Sequence, residues 1–211
     1  GAGKSTIVNG LVQTLRNQGL SIGVLAVDPT SPFGSGAILG DRVRMQQHYL
    51  DSSVFIRSLA TRGSGGGLSR ITGASVKLLD ASGKDIIIVE TVGIGQTELD
   101  IMKVADTVVV TLTPEAGDSV QAMKAGLMEI ADIFVVNKAD RPGATRLAST
   151  IKGMLRVGDR ELWWKPPVLL TQAHKGKGLK GLNDEILQHR MAMEGTSRLV
   201  DRRRQRRTQE F

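Results

Sequence analysis

The sequence predicts an α/β fold of three layers, a mainly parallel sheet covered by helices on both faces. Three observations carry this. The chain opens on Gly1-Ala2-Gly3-Lys4-Ser5-Thr6 and runs straight into helically spaced Ile7, Val8, Leu11, Val12 and Leu15. Short runs rich in Val and Ile recur after it, and several end in a polar or acidic residue. Aromatic residues make up only 3% of the 211, so the core must be Val, Ile, Leu and Ala, a composition that suits strands buried on both faces.

The opening hexapeptide has the form of the back half of a phosphate-binding loop, G-x-x-x-x-G-K-[ST]. Gly3 lets the backbone approach a phosphate, Lys4 reaches the β- and γ-phosphates, and the Ser5 hydroxyl suits Mg²⁺. The helix that follows presents its first N–H groups and the positive end of its dipole to the same anion. Gly1, Ala2, Gly3, Lys4, Ser5 and Thr6 are therefore candidate nucleotide-binding residues. The alternative is an ordinary Gly/Ser/Lys turn. The loop's first glycine and the strand feeding it would precede Gly1, so the expected domain is truncated at its N-terminus and lacks its first strand.

In chain order, Ser21–Val27 reads as a strand ending at Asp28-Pro29. Ligands of open α/β sheets bind beyond the carboxyl ends of strands. Asp28 is thus placed to meet Mg²⁺ or a water on it; alternatively it opens the turn before Pro29. Phe33–Gly40 is glycine-rich, and Asp41 begins a helix that it can cap. Asp41 could also contact Mg²⁺ when a γ-phosphate draws its loop inward. Val54–Arg57 is a strand. Arg62–Gly67 is a loop whose glycines serve either as a linker or for close backbone approach, and a helix follows over Leu68–Leu79. Asp85–Glu90 is the clearest buried strand. An acidic residue closing it, with Gly93 three residues on, is the Walker B and switch II arrangement. Glu90 would hold Mg²⁺ through water, Gly93 N–H would touch the γ-phosphate, and Gln96 could orient water or move the switch.

Thr107–Leu112 is the next strand, Thr113–Asp118 a loop, Ser119–Ile130 a helix and Asp132–Val136 another strand. That strand ends in Asn137-Lys138-Ala139-Asp140. In N-K-x-D the carboxylate accepts from guanine N1–H and the 2-amino group together. Adenine offers neither donor there and would leave a buried charge unpaired. Asn137 orders the loop and the Lys138 stem packs on the base. Pro167–Leu170 is a last strand, after which a backbone N–H near Ala173 could meet guanine O6. Trp163-Trp164 reads as a packed corner and Leu179–Met193 as a closing helix.

The net charge of +7 is concentrated in Arg198, Arg202, Arg203, Arg204, Arg206 and Arg207. Such a cluster could bind nucleic acid or an acidic partner, but no aromatic residues are interleaved to stack on bases, so it reads as a solvated helix face, and nucleic acid is not expected as a partner. The expected division is a nucleotide-binding domain over 1–195 and the start of a basic C-terminal helical extension over 196–211. With no cysteine there are no disulfides, thiolate metal sites or Cys nucleophiles, which fits a reducing compartment. No apolar run approaches the roughly 18–20 residues that span a bilayer.

Taken together and in this order, GAGKST, VLAVDPTSPFGSGAILGDRVRM, ETVGIGQTE, TPEAGDSVQAMKAGLMEIAD and NKAD resemble the methylmalonyl-CoA-mutase-associated GTPases. Members of that family also carry a label as lysine/arginine/ornithine transport system ATPases or kinases. The resemblance implies a P-loop GTPase that binds GTP and GDP with Mg²⁺. It would serve as a metallochaperone, gating adenosylcobalamin loading and protection of methylmalonyl-CoA mutase. It further implies a homodimer when full length, in the cytoplasm or, in a eukaryote, the mitochondrial matrix. Position by position, Lys4, Glu90 and Gln96 would be catalytic, and Ser5, Asp28, Asp41 and Glu90 would form the Mg²⁺ shell. Gly117–Lys124, with Asp118 and Lys124, would relay nucleotide state to the mutase. Gln172 departs from the family's usual Ser. The alternatives are a kinase or ATPase accessory to amino-acid transport and a non-catalytic GTP-sensing scaffold.

Overall fold

The computed structural model describes residues 1–28, 46–60, 67–91, 104–115, 126–157 and 163–209. The chain forms two compact units, one of Lys4–Val104 and one of Gly1–Gly3 with Ala105–Phe211.

The first unit runs α1 (Lys4–Arg16), β1 (Ile22–Asp28), β2 (Val54–Ala60), α2 (Gly67–Ala81) and β3 (Ile86–Thr91). Its strands are parallel in the order β2-β1-β3, with Ile22 level with Val54 on one side and Ile86 on the other. Side chains alternate between the faces of a strand. Ile22 and Val24 of β1, with Val54, Ile56, Ile86 and Ile88 beside them, pack against Val8, Val12 and Leu15 of α1. Gly23 points the other way, where a Cβ would come 2.8 Å from Leu79 of α2. Both faces of β1 are thus covered, which explains why its run carries no polar side chain from Ile22 to Val27. Arg16 at the end of α1 pairs with Asp51 at 2.7 Å, fixing the turn that leads into β2.

The second unit holds β4 (Val109–Leu112), the single turn α3 (Met128–Ile130), β5 (Ile133–Val136), α4 (Ala144–Val157), β6 (Val168–Leu170), α5 (Leu179–Gly195) and α6 (Arg198–Gln209). Its strands are parallel in the order β4-β5-β6, and all four residues of β5 are fully buried. The sequence pattern predicts no helix where α4 lies. Its buried face is Ala144, Leu147, Ala148 and Ile151, an i, i+3, i+4, i+7 pattern. Small residues thin that stripe, and Thr, Ser and Gly in the same stretch are weak helix formers.

The six expected strands are present, with ends shifted by up to three residues. The loop and helix start at Phe33–Asp41, the Gly93 and Gln96 positions and the Gly117–Lys124 segment lie outside the described residues. So does most of the expected helix Ser119–Ile130, whose last turn is α3.

Of the Trp163-Trp164 pair, Trp164 is partly buried, as the sequence suggests of a packed corner, while Trp163 is 40% exposed. Both rings lie against His189 of α5, at 5.4 and 5.0 Å between centroids, and the Trp164 indole N–H donates to Asp132 O. Helix α6 differs from the solvated face expected of it. Arg202 donates to Asp106 O at 2.8 Å, while Arg203 and Arg206 pair with the Asp106 carboxylate. An acidic residue just before β4 therefore recruits arginines that the composition alone assigns to solvent.

Candidate nucleotide site

In the first unit, α1 begins at Lys4, so Ser5 lies in its first turn, and Glu90 is the penultimate residue of β3. The Ser5 hydroxyl donates a 2.6 Å hydrogen bond to Glu90 Oε1, with both residues buried. At 2.6 Å the bond lies at the short end of the usual O–H···O range. Glu90 is level with Ala26 of β1, two residues before Asp28, so the backbones of Asp28 and Glu90 leave the sheet at the same carboxyl edge. The two described oxygen donors, a hydroxyl and a carboxylate, suit a hard cation such as Mg²⁺. The described residues hold no group of three or more His, Cys, Asp or Glu that could bind a metal by itself. Asp41, Gly93 and Gln96 lie outside the described residues, and Asp28 is described by its backbone alone.

In the second unit, the residue after β5 is a hub. Asn137 is 3% exposed and has three side-chain bonds. Its Nδ2 donates to Ala2 O at 3.0 Å, and its Oδ1 accepts from Thr171 Oγ1 at 3.0 Å and Ala173 N at 3.2 Å. The opening loop and the segment after β6 are thereby fastened to the end of β5. Gly3 has φ +79°, and a Cβ there would lie 2.5 Å from Asn137 Nδ2, so the loop needs glycine for both conformation and space. Lys138 is left-handed at φ 57°, and its ammonium meets Glu115 Oε2 at 3.0 Å. Ala139 N–H donates to Thr171 O at 2.9 Å, and Asp140 projects as an exposed residue.

The structure thus brings Ser5 to Glu90 in one unit, and Ala2, Gly3 and Ala173 to Asn137 in the other. The Ala173 N–H, expected near guanine O6, donates to Asn137. Thr171 and Glu115 were not singled out by the sequence. Thr171 follows a strand directly, as Asn137 does, and that shared position is the signal that could have found it.

Residues 1–211 match the family model described as methylmalonyl Co-A mutase-associated GTPase MeaB. A Pyrococcus abyssi protein that is a GTPase by name is 54% identical over 209 residues, covering 98% of this chain and 64% of that protein. The mitochondrial methylmalonic aciduria type A homolog of Mus musculus is 36% identical over 201 residues, 92% of this chain and 48% of that protein. The crystal structure of a LAO/AO transport system kinase superposes with a TM-score of 0.80 at 28% identity, covering 99% of this chain and 62% of that one. The chain spans less than two thirds of the length of each of these proteins. With parallel sheets, flanking helices and a phosphate-loop sequence leading into α1, it belongs to the MeaB family of methylmalonyl-CoA-mutase-associated GTPases and has an α/β P-loop fold.

Proposed function

We propose that this protein binds and hydrolyses GTP and uses that cycle to gate adenosylcobalamin loading and protection of methylmalonyl-CoA mutase or a related acyl-CoA mutase. The observation that carries the nucleotide reading is the Asn137 hub. One buried amide fastens the phosphate-loop backbone at Ala2 to the loop that contains Lys138 and Asp140. Such an arrangement supports recognition of a phosphate and a base by the same ligand. The mutase part rests on family membership and on the name of the mouse relative.

In this reading water attacks the γ-phosphate in line, and the bond to the β-phosphate oxygen breaks. Lys4 and the first N–H groups of α1 stabilise charge on the phosphate oxygens. Ser5, Asp28, Asp41 and Glu90 would hold Mg²⁺, which when bound neutralises part of the triphosphate charge. Gly93 would contact the γ-phosphate and Gln96 would orient the water. The Asp140 carboxylate pairs with guanine N1–H and the 2-amino group. The Ala173 N–H, already directed at Asn137, would be shared with O6. Within this reading the full-length protein is a homodimer acting in the cytoplasm or mitochondrial matrix.

The test is a titration of the full-length protein with GDP and ADP in Mg²⁺, followed by GTP hydrolysis with and without the mutase. Guanine preference and a mutase-dependent rate are expected. Equal affinity for the two nucleotides removes the base assignment. A rate indifferent to the mutase removes the partner. A mutase effect that survives loss of hydrolysis with binding intact makes the protein a GTP-sensing scaffold.

A further inference from the structure

The loops after β4 and β5 are joined by an ion pair that the expected site does not use. Leu112 and Val136 are register partners at the carboxyl ends of these parallel strands. Glu115 stands three residues beyond the first, and Lys138 two residues beyond the second. The Glu115 carboxylate takes Lys138 Nζ at 3.0 Å on one oxygen and Arg141 Nε at 3.5 Å on the other. A Cβ on Gly143 would be 3.7 Å from the Pro114 ring, so the two loops also approach where that ring faces the Gly143 backbone.

Lys138 is held at φ 57°, a conformation unfavourable to a residue with a side chain and maintained only where the surroundings enforce it. Its neighbours enforce it. Asn137 is buried with its three bonds, Ala139 N–H is bound to Thr171 O, and Arg141 N–H closes a turn on Lys138 O at 2.9 Å. The backbone is therefore fixed, and what remains variable is the direction of a long, flexible side chain. Glu115 settles that direction by holding the ammonium at its end. The pair is partly exposed, so it contributes little to folding stability. Its larger consequence is the orientation of the aliphatic stem.

We propose that Glu115 is a positioning residue for guanine recognition, anchoring the Lys138 ammonium so that its stem is presented as an apolar rail for the base. The inference rests on the reading of Asn137-Lys138-Ala139-Asp140 as a guanine-binding loop. It assigns to Glu115 a share of nucleotide affinity but none of the discrimination, which belongs to Asp140. It also makes the residue next to segment 116–125 sensitive to an occupied base site, because coupling between two sites is reciprocal.

The experiment measures GDP, inosine diphosphate and ADP affinity in the full-length protein for the wild type, Glu115→Gln, Lys138→Met and the double variant. Inosine lacks the 2-amino group that Asp140 reads but keeps the ring that the Lys138 stem packs against. Glu115→Gln is expected to weaken GDP and inosine diphosphate by the same factor, about three- to tenfold, in the lower part of the range of coupling between contacting residues. The GDP-to-inosine-diphosphate ratio and the nucleotide-free thermal midpoint should stay at the wild-type values. In the Lys138→Met background the same substitution should have no effect. An unchanged GDP affinity, an equal loss without Lys138, or a shifted ratio would overturn the role. If the wild type binds ADP as well as GDP, the guanine reading itself fails and this inference falls with it. Guanine preference with an additive cycle removes Glu115 alone.

Discussion

Ser5 Oγ and Glu90 Oε1 lie 2.6 Å apart although 85 residues separate them in sequence. The start of α1 is thus hydrogen-bonded to the end of β3 through two side chains that both suit Mg²⁺. Glu90→Gln keeps an oxygen that can accept the Ser5 proton but removes the charge. The variant is expected to fold and to bind GDP without metal as the wild type does. Mg²⁺ affinity in the presence of GTP should fall about 10- to 100-fold, as for a lost group that orients a metal's ligands. Titrating Mg²⁺ into the GTP-bound protein checks this; an unaltered midpoint takes Glu90 out of the metal shell.

Asn137 offers a sharper contrast between two substitutions. Asn137→Ala deletes three bonds at a buried position and strands the Thr171 hydroxyl and the Ala173 N–H. Unsatisfied buried groups cost about 1–3 kcal/mol each and do not add fully, so a loss of about 2–4 kcal/mol is expected in urea unfolding. Asn137→Asp keeps the acceptor facing Thr171 and Ala173 but turns an acceptor toward Ala2 O. It should retain more of the stability than alanine while still losing nucleotide affinity. If the two variants unfold alike, the Oδ1 bonds are not what holds this loop.

These contrasts mark how far the sequence could be read. Strands were legible because β1 and β5 are buried apolar runs and β3, though its isoleucines are only partly buried, is a continuous apolar run as well. Ser5 and Glu90 could be named as companions because each belongs to a motif with a metal-binding role. The α4 helix was not legible, since Ala144 and Ala148 give a faint apolar face and Gly153 and Thr150 disfavour helix. Nor could composition show that Arg202, Arg203 and Arg206 converge on residues near Asp106, about a hundred positions away. Pairings of that range depend on tertiary packing and leave no local pattern.

Two glycines should respond oppositely to alanine. Gly3→Ala meets a φ of +79° and a contact of 2.5 Å with Asn137 Nδ2, so it must displace the hub or the loop. Nucleotide affinity is expected to fall by about tenfold or more, because a misplaced loop forfeits its oriented contacts. Gly153 lies in the interior of α4 with nothing near its missing Cβ. Gly153→Ala should stabilise the protein by about 0.5–1 kcal/mol through helix propensity and leave nucleotide binding unchanged. Calorimetric titration and thermal unfolding on both variants provide the measurement. Intact binding in Gly3→Ala would show that the loop tolerates a side chain there.

The attachment of α6 should depend on pH through Asp106. Burial pushes that carboxyl upward, but hydrogen bonds and charge from Arg203 and Arg206 outweigh it and leave the group below the usual carboxylate range. A carboxyl depressed in the folded state contributes stability above its unfolded value of about 3.9, and the contribution disappears as pH falls through the folded value. Asp106→Asn is therefore expected to destabilise the protein by the same amount at every pH from about 5 to 8. That amount should be about 1 kcal/mol, since a carboxylate partly open to solvent is screened. Below about pH 4 the wild type and variant should converge as the native carboxyl takes up its proton. Urea unfolding across that range, with hydrogen exchange in α6 as the local probe, decides the cause. A difference that persists undiminished at low pH would mean that α6 is held by packing rather than by the charge of Asp106.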